Sequence, residues 1–243
     1  MPKQRLDTLL VARGLADNKS RALAAIMAGE VTVNGSVMTK AGSPVREDAD
    51  VRLKEKMPYV SRGGLKLVHA LREFAIDVRG LACIDVGAST GGFTDCLLQH
   101  GAEKVYALDV GYGQLDYKLR QDSRVVVMEK VNAHYPFNLP GKVKMAVMDV
   151  SFISVSMVIP SVLPHLVPEG ELLVLFKPQF EAEREDVGRG GVIRDPAVHA
   201  GTISRFITWM NGNRLSLLNL AASPILGAEG NREFLIHLRP WKP

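Results

Sequence analysis

The sequence predicts an α/β chain, with a seven-stranded, mostly parallel sheet covered on both faces and a small α+β module ahead of it. Three observations lead there. From residue 81 onward, apolar runs of strand length alternate with segments of helical spacing, as strand–helix units of a parallel sheet do. The first run, Leu81 to Val86, leads through Asp85-Val86-Gly87-Ala88-Ser89-Thr90-Gly91-Gly92 into helical spacing at Phe93, Cys96, Leu97 and His100. Such a strand, tight loop and helix open a nucleotide-type pocket, because glycines let a ligand approach the backbone and the helix start offers free N–H groups. Before residue 60, two short helical stretches and a hairpin signal form a separate unit.

The totals narrow the function classes. Net charge is only +4, but residues 1 to 60 hold ten basic and seven acidic residues against twenty and nineteen afterwards, so the small unit is the basic one and fits a polyanionic partner. Cys83 and Cys96 lie in apolar sequence and read as free core thiols of a reducing compartment. With no signal pattern and no apolar run long enough to span a bilayer, a cytoplasmic protein with no membrane partner is expected.

In the first unit, Arg5-Leu6-Asp7-Thr8-Leu9-Leu10 with Ala12 predicts a helix that Gly14 stops. Asn18 or Ser20 can cap a second helix, carrying Ala22, Leu23, Ile26 and Met27 and ended by Gly29. Val31-Thr32-Val33, Asn34-Gly35 and Val37 form a hairpin signal, since Asn-Gly readily takes the positive φ of a two-residue turn. Pro44-Val45 predicts a turn and Asp50-Val51-Arg52-Leu53 a last short strand. This arrangement, carried by Arg5-Leu6-Asp7, Leu10, Gly14, Ser20-Arg21, Ala24, Ile26, Gly29, Val31, Val33-Asn34-Gly35 and Pro44, resembles the alpha-L RNA-binding module of ribosomal protein, pseudouridine synthase and tyrosyl-tRNA synthetase families. The resemblance implies that Lys3, Arg5, Lys19, Arg21 and Lys40 lie along RNA phosphates. The bland reading is a solvated helical hairpin.

Lys54-Glu55-Lys56-Met57-Pro58-Tyr59 is charged and then broken by proline, which places a linker at about 54–60 between a domain over 1–57 and a larger one over 58–243. In Ser61-Arg62-Gly63-Gly64-Leu65-Lys66, the lysine sits about one turn into a helix whose apolar face is Leu67, Ala70, Leu71 and Phe74. Strands are predicted at 81–86, 104–109, 124–128, 143–149, 170–176, 214–221 and 232–239, and helices at 93–100, about 114–121, 153–166 and 196–211. The last two strands lack an intervening helix and predict an antiparallel edge pair. Glu181 to Arg194, charged and glycine-rich, predicts a mobile loop over the site.

The glycine spacing fails the dinucleotide pattern G-x-G-x-x-G. Asp-x-Gly-x-x-x-Gly-Gly is instead similar to the first motif of S-adenosylmethionine-dependent methyltransferases, which implies donor contacts from Asp85, Gly87, Ser89, Thr90, Gly91, Gly92 and Phe93. Asp109 ends the second strand where a carboxylate can accept both ribose hydroxyls, as it also would in a dehydrogenase. Asn132-Ala133 follows the third strand, placed to meet the adenine edge.

Lys66, Asp149, Lys177 and Glu233 stand at element ends where a packed domain has no structural need of them; any one alone reads as a salt bridge or a solvated strand end. Together they match the Lys-Asp-Lys-Glu tetrad of FtsJ-like ribose 2′-O-methyltransferases. With Ser61 to Lys66, Asp149-Val150-Ser151-Phe152-Ile153-Ser154, Lys177-Pro178-Gln179-Phe180-Glu181 and Gly230-Asn231-Arg232-Glu233-Phe234 behind an alpha-L module, the chain resembles the TlyA family of rRNA methyltransferases, also called hemolysins. The resemblance implies a Rossmann-like domain that binds S-adenosylmethionine, with Asp149 near the donor, and methylates a ribose 2′-hydroxyl of ribosomal RNA or a ribosomal subunit, with Arg62 among the RNA contacts. Lys177, its pKa lowered by burial and by Lys66, would act as base or steer the oxygen lone pair, while Asp149 and Glu233 balance the two ammonium groups. No metal is expected, since the six histidines are scattered and no Cys/His ligand spacing occurs. Two other classes are weighed: a membrane-active hemolysin, for which neither a spanning segment nor a strongly basic amphipathic helix is found, and an RNA-binding protein with a non-catalytic methyltransferase fold.

Overall fold

A computed structural model of the chain describes residues 2–54 and 57–241, without the side chain of Arg189. Glu55 and Lys56, in the middle of the predicted linker, lie outside the described residues. The chain divides into two compact units, Met1–Lys56 and Met57–Pro243.

The first unit contains β1 (Lys3–Arg5), α1 (Leu6–Ala12), α2 (Lys19–Met27), β2 (Val31–Val33), β3 (Ser36–Met38), β4 (Pro44–Arg46) and β5 (Val51–Leu53). Asn18 caps α2, its side chain accepting from Arg21 N at 2.9 Å. The β2–β3 hairpin turns at Asn34 (φ 50°) and Gly35 (φ 80°), the positive angles that Asn-Gly tolerates. Leu6, Leu10, Ala22, Ile26 and Val31 form a fully buried core. The sequence differs from the structure at one point: Arg5 closes a strand instead of opening the helix, and Lys3–Arg5 pairs antiparallel with Pro44–Arg46, where only a turn is expected. Neither segment carries the Asn-Gly hairpin signal that marks the equally short β2 and β3, and three residues alone give no period-2 alternation to read.

The second unit contains α3 (Gly63–Glu73), β6 (Ala82–Val86), α4 (Gly92–Gln99), β7 (Lys104–Asp109), α5 (Tyr117–Gln121), β8 (Val125–Glu129), β9 (Val143–Met148), α6 (Val155–Val162), β10 (Leu166–Phe176), α7 (Pro196–Gly212), β11 (Leu215–Ala222) and β12 (Phe234–Pro240). Seven strands form one sheet in the order β11-β12-β10-β9-β6-β7-β8. All neighbours pair parallel except β12, which runs antiparallel to both β10 and β11. The expected antiparallel pair exists, but its second member inserts inside the sheet and leaves β11 at the edge.

The helix expected over 153–166 stops at Val162. A 3₁₀ turn over Leu163–His165 follows, because Pro164 lacks the N–H that another helical turn requires, and β10 starts at Leu166 with a register irregularity before Glu171. Alternate strand residues pack in opposite directions. Cys83, Met145, Val147, Leu173 and Leu235 join α3 and α4 in one cluster, whereas Ile84, Ala146, Leu172, Val174 and Ile236 join α6 and α7 in the other. Two glycines let the α3 layer close on itself: a Cβ at Gly64 would overlap the ring of Tyr59, and one at Gly92 would overlap Ser61 Oγ. Cys83 and Cys96 are both buried free thiols.

Candidate active site

Period-2 alternation decides where the charged strand-end residues go. Counting by twos from Cys83, Met145, Leu173 and Leu235 reaches Asp85, Asp149, Lys177 and Glu233, so all four face the α3 side. They share one end of the sheet, where the parallel strands finish, because Phe176 at the end of β10 pairs with Phe234 at the start of antiparallel β12. Lys66, in the first turns of α3, meets them there. Its Nζ donates to Glu233 Oε2 at 2.5 Å, and both side chains are nearly inaccessible. Lys177 Nζ donates to Ser151 Oγ at 2.8 Å and stands 2.6 Å from Asp149 Oδ1. Two ammonium groups are thus each matched by a carboxylate, as their burial requires.

A cavity of about 200 Å³ opens at this cluster, lined by Lys66, Asp149, Lys177, Ser61, Asp85 and Ser151 with the loop residues Gly87, Ser89, Thr90, Gly92 and Phe93. Glu233 does not line it but is paired with Lys66, which does. Asp85 is fully buried; its Oδ2 accepts from Thr94 N and Oγ1 at 2.9 and 2.7 Å, while its Oδ1 has no hydrogen-bond partner. Burial lifts this carboxyl from 3.8 to about 7, the Thr94 hydrogen bond opposes the rise, and the Asp149 and Asp109 charges add to it.

A second cavity of about 530 Å³, within the range of small-molecule sites, shares Gly87, Ser89, Asp149 and Ser151 with the first and extends to Asp109, Asn132 and Ala133. Gly87 has φ 85°, and a Cβ there would stand 2.6 Å from Asp149 O, so only glycine fits between the loop and β9. Asp109 organises the loop, accepting from Ser89 N at 2.8 Å and Gly111 N at 2.7 Å. Gly91 lines neither cavity; its φ of 94° and its closeness to Leu115 and Leu119 give it a packing reason instead.

These residues fit S-adenosylmethionine. The donor-free Asp85 oxygen suits an ammonium group, the glycine cradle a close-lying chain, and Asp109 a ribose edge. Among the described residues, no group of three or more His, Cys, Asp or Glu side chains could hold a metal.

Sequence reasoning missed several site residues. Ser151 follows the same parity as Asp149 and was legible that way. Phe152 was not: it is 91% exposed, has φ 63°, and its ring lies 5.2 Å from that of Phe180, beside Lys177. His134 and Gln114 also line the larger cavity. The segment after Lys177 is anchored at its near end, because Glu181 accepts from Ser154 Oγ at 2.6 Å and Val155 N at 2.8 Å, capping α6.

The predicted RNA-contacting residues are exposed, and three of them, Arg5, Arg21 and Arg62, are engaged locally. Arg5 forms a fork on Asp7, with Nη2 2.6 Å from Oδ2, which holds that carboxyl below its usual range. Arg62 donates to Leu226 O at 2.9 Å. Lys3, Lys19 and Lys40 have no ion-pair partner among the described residues, and Arg21 lies 4.0 Å from Asp17.

Residues 59–240 match the FtsJ-like methyltransferase family, and residues 4–51 match the S4 domain. YqxC of Bacillus subtilis, assigned as an rRNA methyltransferase, is 49% identical over 97% of this chain and 85% of its own length. The 16S/23S rRNA (cytidine-2′-O)-methyltransferase TlyA of Mycobacterium tuberculosis is 40% identical over 98% of this chain and 90% of its own. The solved structure of a hemolysin-named protein from Streptococcus thermophilus superposes with a TM-score of 0.76 at 43% identity, covering 100% of this chain and 90% of that one.

Proposed function

The chain belongs to the FtsJ-like methyltransferase family and carries an S4 domain ahead of it, and we propose that it transfers a methyl group from S-adenosylmethionine to a ribose 2′-hydroxyl of ribosomal RNA. The observation that carries this reading is Lys177, held by Ser151 and Asp149 in the lining of the glycine-loop cavity. When bound, the donor supplies a methyl group already activated by its sulfonium. What remains for the protein is alignment and proton handling. Lys177 orients the attacking hydroxyl, and the Lys177–Asp149 pair takes up its proton. Lys66, neutralised by Glu233, closes the other side of the cavity. The exposed ring of Phe152 offers a face on which a nucleobase can stack, holding its ribose at Lys177. The S4 domain supplies affinity for folded RNA through Lys3, Arg5, Lys19, Arg21 and Lys40, and the cytoplasm is where such a substrate is met.

Mass-spectrometric mapping of ribose methylation on rRNA, with and without the protein, tests the reading; cytidines come first, given the name of the M. tuberculosis relative. Lys177→Ala is expected to abolish methylation while calorimetry finds donor binding retained. An active Lys177→Ala protein sinks the assignment. The hemolysin name carried by relatives has its own test, leakage of dye-loaded liposomes; among the described residues, no helix is long and apolar enough to cross a membrane.

A further inference from the structure

Asn231 is only 2% exposed, yet it belongs to the connection between β11 and β12, not to a core strand. Its amide oxygen accepts from Ile193 N at 3.0 Å and its amide nitrogen donates to Gly191 O at 2.8 Å. Both partners lie at the far end of the segment that leaves Lys177, whose near end Glu181 anchors. The backbone of Asn231 is equally occupied. Its carbonyl accepts from Gly227 N at 2.8 Å, and Gly230 N donates to Gly227 O at 3.0 Å, which folds the connection into a compact loop. Gly227 is pressed onto the site: a Cβ there would lie 2.6 Å from Glu233 Oε1. The other oxygen of Glu233 receives Lys66. Contacts therefore form a continuous path, from Lys177 along the 178–193 strap to Asn231, through Gly227 to Glu233, and on to Lys66.

We propose that Asn231 is a positioning residue for methyl transfer: its buried amide locks the strap that begins at Lys177 to the loop that seats Glu233, so the two lysines keep one mutual geometry. This rests on the methyltransferase reading above. Asparagine suits the task because it donates and accepts from one planar group, which alanine cannot do at all and aspartate only by half. The side chain touches neither cavity, so its influence passes through Glu233 and the strap.

The test compares Asn231→Ala with Gly227→Ala in the full chain, using rRNA methylation kinetics, calorimetry with S-adenosylmethionine, and trypsin cleavage at the exposed Arg184. Misplacing catalytic groups by an ångström lowers rate steeply, so Asn231→Ala is expected to reduce kcat by about 10- to 100-fold, with donor affinity unchanged, a displaced pH–rate profile and faster strap cleavage. Gly227→Ala, which crowds Glu233 but leaves the strap bonds intact, is expected to lose kcat without faster cleavage. A folded Asn231→Ala protein with wild-type kcat and pH profile overturns the proposal. So does an unfolded one, since the residue would then determine the fold. If wild-type protein methylates no rRNA, it is the underlying reading that fails.

Discussion

A carboxylate that is never solvated shows how much one residue can carry. Asp85 reaches the α3 side because strand parity puts it there, and Thr94 satisfies only one of its oxygens. Because burial raises its carboxyl to about 7, the folded domain holds a proton that the unfolded chain releases above about pH 4. The stability it contributes is complete below that pH and declines as pH rises toward 7. Asp85→Asn keeps the Thr94 contact and removes the titration, so its melting temperature is expected to fall less than wild type's between pH 5 and 8; parallel curves would count against the assignment. Residue identity at this scale was largely legible. Lys66, Asp149, Lys177 and Glu233 are readable as charges at element ends and Asp85 as the head of the glycine loop, and the convergence of the four strand-borne residues follows from counting by twos. Phe152 was illegible because an exposed phenylalanine carries the same letter as a buried one, and Asn231 because its partners lie about 40 residues away across a loop.

At the scale of elements, the site depends on how closely α3 and α4 approach the segment that leads into them. Val60 N donates to Asp95 Oδ2 at 2.8 Å and Gln99 donates to Pro58 O at 2.9 Å, so α4 grips residues 58–60 while Gly64 makes room for Tyr59. Gly64→Ala gains helix propensity but overlaps the ring, and overpacking of this kind costs about 1–3 kcal/mol. Calorimetric melting is expected to show that loss, together with reduced methylation, since Lys66 rides on the same helix; an unchanged melting temperature would mean that Tyr59 moves aside freely. Element type was readable wherever apolar runs were long, as in β7, β9 and α7. It fails at β1 and β4, three-residue strands with no hairpin signal beside them, and at the end of α6, where a proline-rich stretch exchanges helix for a 3₁₀ turn without changing the apolar pattern.

For the whole molecule, two units divide recognition from chemistry, and salt should separate them. Lys3, Lys19 and Lys40 are exposed and lack ion-pair partners among the described residues. Replacing all three with glutamine is expected to weaken RNA binding uniformly across sequences and to flatten the dependence of log affinity on log salt by about one unit for each phosphate no longer neutralised. Fluorescence polarisation across a salt series measures this; an unchanged slope would move the RNA footprint elsewhere. The overall α/β plan was legible from alternation alone, but the place of the last strand was not, because an antiparallel pair at an edge and a strand inserted one position inward are written with the same residues. That insertion also sets a schedule for synthesis. Lys66 leaves the ribosome early and waits for a partner 167 residues downstream, while β11 has only β12 to pair with. A nascent chain can therefore build its glycine loop and most of its sheet while Lys66 still lacks its carboxylate. Synthesis of Glu233 and β12 gives Lys66 its counter-charge and β11 its neighbour in one event, so a chain interrupted before residue 233 is expected to leave Lys66 unpaired.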